Sequence, residues 1–210
     1  MLMAVVIGDV VRSRSSEDRG VLHTRLADGL AAVNAALDPA TPLRVTVGDE
    51  YQGGFATVAE AVRATLRLRL ALVPGVDVRH GIGWGEVTLL QEEPRVEDGS
   101  GWWAARDAIQ EVHHCAERPG SRLRRTVFRG AEDVEGPDPA TLEAMLILRD
   151  QLVGSLSERS LLVLRGLLDG TTQRDLAAEL GVTASAVSQR VRADGLAALV
   201  AADRALAVAP

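Results

Sequence analysis

The order in which apolar patterning changes period along residues 3–90 restricts the fold more than any other feature of this chain. Residues 3–8 form a continuous apolar run centred on Val5, Val6 and Ile7 and closed by Gly8-Asp9, which reads as a strand buried on both faces. Arg12, Ser13, Arg14 and Ser15 read as a loop, and Ser16, followed by Glu17 and Asp18, suits a helix start. Leu22, Leu26, Leu30, Val33 and Leu37 then recur at helical spacing until Asp38-Pro39 stops them. Residues 43–47 alternate, Gly48-Asp49-Glu50 turns the chain, and 51–56 is a second strand-like run, so a hairpin is expected. Thr57 and Glu60 form a capping box for a second helix, whose stripe of Val58, Val62, Leu66, Leu70 and Val73 ends at Pro74-Gly75.

Residues 76–83 read as another strand, continued over 86–90 past the Trp84-Gly85 kink, and 91–101 as a polar, glycine-rich loop. A helix over 102–116 and a strand over 126–128 follow. The order β-α-β-β-α-β and then α-β is the split βαβ, ferredoxin-like arrangement. Residues 131–139 are acidic and carry Pro137 and Pro139, which marks a linker, and a helix is expected over 140–153.

Composition narrows the class. Of 210 residues 47% are hydrophobic and 25% charged, which fits a globular chain rather than a disordered one. No apolar run reaches the ~20 residues of a membrane span, and residues 1–7 lack the basic flank of a signal peptide. Cys115 is the single cysteine, so no internal disulfide forms, and a reducing, cytoplasmic setting is the default expectation. All 23 basic residues are arginine, and the net charge is −6. Up to Gly154 there are 17 Arg against 23 Asp and Glu, and beyond it 6 against 6, so the acidity sits in the N-terminal part.

Asp9 lies at the end of the first strand, and Asp49 and Glu50 lie at the hairpin tip. A split βαβ sheet makes those strands neighbours, so the three carboxylates are expected to converge. Hard oxygen ligands there would take Mg²⁺, with phosphate oxygens completing the shell. Taken singly, each Gly-Asp pair is an ordinary turn. Arg12 and Ser13 follow the first strand where a loop could cradle phosphate. His113 and His114 are adjacent on one helix, point in different directions, and do not read as a zinc site. Trp102 and Trp103 could stack on a base, although packing is their commoner use.

The C-terminal pattern reads helix, tight turn, helix. Ala177 is small enough for close helix approach, Gly181 suits a left-handed turn position, Thr183 can cap the next helix, and Val187 and Val191 extend the buried stripe. With an earlier helix over 157–168 this makes a tri-helical unit. If 184–192 is a recognition helix, Ser185, Ser188, Gln189 and Arg192 face outward with Arg190 beside them, and Thr172 meets phosphate, which makes DNA an expected partner. The neutral charge of this part gives only a weak electrostatic footprint for DNA.

Two stretches carry a family resemblance. Residues 3–14 (Met-Ala-Val-Val-Ile-Gly-Asp-Val-Val-Arg-Ser-Arg) and 47–53 (Val-Gly-Asp-Glu-Tyr-Gln-Gly) resemble the SatD family over the whole chain. More distantly, 45–49 with Phe55, 78–87 with its Gly85-Glu86-Val87, and Trp102 to Arg106 are similar to class III nucleotide cyclases and related palm domains. That resemblance implies that Asp9 and Asp49 are metal ligands and that Arg106 meets a phosphate. Val45 stands where the cyclases read the base with a lysine, and Trp102 where they carry an asparagine.

The sequence is therefore read as α+β. Residues 1–135 form a ferredoxin-like, palm- or cyclase-like domain, 136–154 a linker and connecting helix, and 155–210 a tri-helical helix-turn-helix domain. The leading expectation is a DNA-binding regulator of the SatD type. Its sensor domain would bind nucleotide through Mg²⁺ at Asp9, Asp49 and Glu50 with help from Arg12, Ser13 and Arg106, and a homodimer would supply a second half-site. The alternatives are a metal-dependent nucleotidyl transferase or cyclase with the helices as a lid, and a scaffold without turnover.

Overall fold

The computed structural model describes residues 1–11, 18–132 and 134–209. Its central sheet contains β1 (Leu2–Val10), β2 (Thr41–Val47), β3 (Glu50–Phe55), β4 (Val78–Glu86) and β7 (Thr126–Gly130), in the order β2-β3-β1-β4-β7. The first four pair antiparallel in the split βαβ manner, and β7 joins β4 in parallel. The helices α1 (Arg19–Leu37), α2 (Val58–Ala71) and α4 (Pro139–Ser155) share one face through Ala4, Val6, Phe55, Val78, Ile82 and Phe128. The opposite face, with Met3, Val5, Ile7 and Val127, is packed by α3 (Ser100–Glu117). The mixed α+β sheet expected from the pattern is present.

Several local expectations are corrected. The N-cap of α1 is Asp18, whose carboxylate accepts from the Val21 amide at 3.0 Å, and Ser16 lies outside the described residues. Strand β4 runs through Trp84-Gly85 without a break and stops at Glu86. The next residues form a separate hairpin, β5 (Thr88–Gln91) and β6 (Val96–Asp98), inside what reads as a continuing strand and a loop. Three further features match the sequence. The Thr57–Glu60 capping box is formed, Asp38 ends α1 in the left-handed conformation, and β2 turns into β3 at Gly48-Asp49.

The seat of α3 is set by glycine. Along β4, Gly81, Gly83 and Gly85 alternate with His80, Ile82 and Trp84, so all three glycines face α3. A Cβ on Gly83 would sit 2.2 Å from the Gly101 carbonyl oxygen and 2.3 Å from the Ala105 nitrogen. One on Gly81 would sit 2.3 Å from the Ile109 nitrogen. The helix backbone therefore rests directly on the strand backbone, which only a side-chain-free strand face permits.

The outer edge of the sheet is handled by carboxylates of α4. Asp150, buried, accepts from the Arg125 and Thr126 amides at 2.7 and 2.6 Å, and Glu143 accepts from the Phe128 amide at 2.7 Å.

Past α4 come α5 (Glu158–Leu168), α6 (Gln173–Glu179), α7 (Ala184–Ala193) and α8 (Leu196–Leu206). Two of these helices close on the same glycine motif. Gly170 and Gly181 have positive φ, and the following amides, Thr171 and Val182, return to the Gly166 and Ala177 carbonyls. The buried residues Val163, Leu164, Leu176, Val187, Val191 and Leu196 make a second core. That core is continuous with Leu66 and Leu70 of α2. Beside it Asp203 of α8, 5% exposed, pairs with Arg63 at 3.2 Å and Arg67 at 3.1 Å.

Candidate functional site

The candidate site lies at the C-terminal end of β1, on the α3 face. Strand alternation sends Gly8 toward α1 and α2 and Asp9 toward α3. Position 8 has no room for a side chain, because a Cβ there would lie 2.3 Å from the buried ring of Tyr51. Beneath that ring, His80 meets Tyr51 edge-on with centroids 5.9 Å apart. Burial, and then the nearby Arg149 and Arg69 charges, push the His80 pKa down to about 3, so its ring is neutral at pH 7. Burial, reinforced by the Asp9 and Asp77 charges, raises the Tyr51 hydroxyl well above its ordinary value. The sheet below the site is therefore a fixed, uncharged floor.

Above it the side chains are charged and partly open. Arg79, opposite Asp9 on β4, donates from Nε to Asp9 Oδ1 at 2.7 Å. His113 Nε2 lies 2.6 Å from Asp9 Oδ2. Arg106 Nη1 is 3.7 Å from Glu50 Oε2, with both side chains about half exposed. Asp49 Oδ2 accepts from the Val10 amide at 3.3 Å. Arg106, Gln110 and His113 stand at helical spacing on one face of α3 and, with Asp9 and Glu50, line a cleft of about 360 Å³.

Asp9 and Arg106 thus reach the same cleft as Glu50, while Asp49 stays at its rim, bonded to the β1 backbone. Both oxygens of Asp9 are taken by cationic or donor side chains, and among the described residues no three His, Cys, Asp or Glu side chains are grouped to hold a metal. In this arrangement the three carboxylates do not fit a dication cage. Mg²⁺ would have to displace Arg79 or His113 from Asp9 to bind there. Arg12 and Ser13 lie outside the described residues. Trp102 is buried against the sheet, and exposed Trp103 donates to Asp98 at 3.0 Å, so neither faces the cleft.

Arg79 and His113 are the residues that sequence reasoning passed over. The strand alternation that points Asp9 at α3 also points Arg79 there, and His113 is seven residues beyond Arg106, two turns along the same helix face. Reading His113 only as a neighbour of His114 hid that relation.

On α7, Ser185, Gln189 and Arg192 are exposed, and Ser188 is half-buried. Thr172 is exposed, but its hydroxyl is engaged as the N-cap of α6, accepting from the Asp175 amide and donating to the Asp175 carboxylate. Arg190 does not stand with the outward residues. It turns back to donate to Ser157 and Ser160 at 3.1 and 2.7 Å and lies 3.6 Å from Asp194.

In comparisons with known proteins, the model of the SatD family matches residues 3–207. No curated protein matches the chain. Among solved structures, one likeness is to the catalytic core of a rhodopsin-guanylyl cyclase with converted specificity in complex with ATPαS. It has 17% identity over 52% of this chain and 71% of that one, with a TM-score of 0.41. A bacterial light-regulated adenylyl cyclase matches at 12% identity over 61% of this chain and 42% of its own, with a TM-score of 0.46. The adenylyl cyclase CyaB from P. aeruginosa matches at 14% identity over 50% and 69%, with a TM-score of 0.38.

Proposed function

The chain belongs to the SatD family, and from that premise we propose that it is a nucleotide-responsive DNA-binding regulator: the cleft between β1 and α3 takes the phosphates of a nucleotide, and α7 contacts DNA. The observation that carries the first half is the face of α3 that sets Arg106, Gln110 and His113 opposite Asp9 and Glu50. The Arg106–Glu50 pair is long and half exposed, so little free energy opposes its exchange. A phosphate offers the guanidinium a better geometric match than one carboxylate oxygen at that distance. Gln110 can donate its amide, and His113, held by Asp9, presents a ring of fixed orientation to the cleft.

The second half rests on the exposed residues of α7. Gln189 can pair with adenine and Arg192 with guanine in a major groove, while Ser185 reaches backbone or base. The helical domain of residues 155–210 is neutral in formal charge, so a second copy bound at a second half-site would supply affinity that phosphate neutralisation does not. A ligand in the cleft would bias DNA binding only through contacts that differ between two states.

Calorimetric titration of each nucleoside triphosphate, with and without Mg²⁺, tests the cleft. The expected result is micromolar binding of at least one triphosphate, weakened about tenfold or more by Arg106→Ala, as loss of a charge-assisted contact implies. Absence of binding by every triphosphate at millimolar concentration would overturn it. Selection from random duplex DNA at low salt tests α7. Gln189→Ala and Arg192→Ala should each lose about 1–3 kcal/mol of discrimination, and retention that ignores both substitutions would remove DNA recognition from α7.

A further inference from the structure

A second cleft, of about 420 Å³, opens where α1 and α2 meet α5, on the opposite side of the sheet from α3. Its walls include Gly29, Val33, Leu70, Ala71 and Leu168, which make an apolar interior. Arg25, Arg67 and Arg165 reach into the same space, with Asp28 and Asp169 exposed at its rim.

The arginines are not equivalent. Arg67 is balanced by Asp169 at 3.5 Å and Asp203 at 3.1 Å. Among the described residues Arg25 donates to main-chain carbonyls, those of Leu72 at 2.8 Å and Pro74. Among the described residues Arg165 reaches the Val73 carbonyl, at 3.5 Å. Among the described residues neither Arg25 nor Arg165 has a carboxylate within salt-bridge range, so two guanidiniums share one collar of three successive carbonyls with their charge uncompensated. The lining carries three arginines and two aspartates, and Arg67 is also balanced by Asp203 from outside it. A volume of this size is in the range that holds a drug-sized ligand.

We propose that this cleft is a binding site for a small apolar monoanion, a carboxylate, sulfonate or sulfate monoester on a hydrocarbon or aromatic body. Its head group bridges Arg25 of α1 and Arg165 of α5, and its body covers Val33, Leu70 and Leu168. The site is separate from the β1–α3 cleft and does not depend on the reading given for it. Because its two charged contacts come from the sheet layer and from the C-terminal helices, occupancy ties α5 to α1.

The test is fluorescence titration of the full chain with 8-anilinonaphthalene-1-sulfonate, an apolar sulfonate. Saturable binding is expected. The Arg25→Gln/Arg165→Gln double variant should weaken it tenfold or more, and Ala32→Trp, which fills the cleft from the exposed face of α1, should abolish it. Thermal melts of both variants matching the parent chain confirm that folding is retained. In competition, decanoate and decyl sulfate displace the probe, ranking the head groups, while decylamine does not. Unchanged probe affinity in both variants, or equal displacement by decylamine, would overturn the proposal.

Discussion

Two seams hold this molecule together, and they are built on opposite principles. Where α3 meets β4, the contact over Gly81, Gly83 and Gly85 is backbone on backbone. Where the C-terminal helices meet α2, Leu66 and Leu70 supply an apolar strip, and Arg63, Arg67 and Asp203 lie in an ion-paired cluster beside it. That second seam is flanked by clefts on either side of the turn at Val73, Pro74 and Gly75. The glycine seam tolerates no adjustment, which suits a helix that must hold Arg106 and His113 at fixed distances from β1 and β3. The charged seam instead rests on shared ion pairs, with Asp203 held by both Arg63 and Arg67.

The largest effect should come from the glycine seam. Gly83→Val places a branched side chain where even a Cβ collides with the α3 backbone, and overpacking against main chain should cost more than about 3 kcal/mol. Urea unfolding would show it, and loss of nucleotide binding should accompany it. An unaffected midpoint would mean that α3 can ride up freely and that the two seams do not differ.

Asp203→Ala should cost somewhat less, about 2–3 kcal/mol, since it strands the mostly buried Arg63 guanidinium while Arg67 keeps Asp169. Its signature should be early hydrogen exchange in α8 and α5 with α3 protection unchanged. Equal loss of protection in α3 would merge the two seams into one cooperative unit.

The third prediction concerns pH. His80 has a folded pKa of about 3 against an ordinary 6.5, so the unfolded chain binds the proton first as pH falls. Its contribution is complete above pH 6.5 and is lost progressively toward pH 3. Between pH 6.5 and 5 the native chain should lose about 1.6 kcal/mol relative to a His80→Leu variant, the slope approaching about 1.4 kcal/mol per pH unit once the unfolded histidine is fully protonated. Denaturant curves at the two pH values measure it. A constant difference between them would mean that His80 takes up a proton as readily folded as unfolded. The smallest effect is expected at Gln189→Ala, an exposed position that should change stability by less than about 0.5 kcal/mol. A larger loss would show that α7 packs on something it is read as presenting.

How much of this was legible in the sequence follows from how local each feature is. The capping box at Thr57, the stop at Asp38, the turn glycine Gly181 and the cap at Thr183 are each fixed within a few residues, and each is visible as a short motif. The β5–β6 hairpin was not visible, because β5 is exposed along its whole length and β6 nearly so, leaving no burial rhythm to read. That Asp9 and Glu50 line one cleft could be anticipated from strand order. What could not be anticipated was that Arg79 and His113 would both take up the Asp9 carboxylate, because that depends on the register of β4 against β1 and on where α3 settles over the two strands. The apolar cleft at Arg25 and Arg165 was invisible for the same reason, being made by the docking of two layers rather than by any one segment.

The carboxylates of α4 carry a last consequence. A strand at the rim of a sheet offers a row of open amides on which another chain can grow. On β7 the amides of Thr126 and Phe128 are already held by Asp150 and Glu143. The sheet is sealed along that rim by acidic side chains from its own helix, so the border where β7 lies is closed to strand addition and to the fibril growth that begins with it.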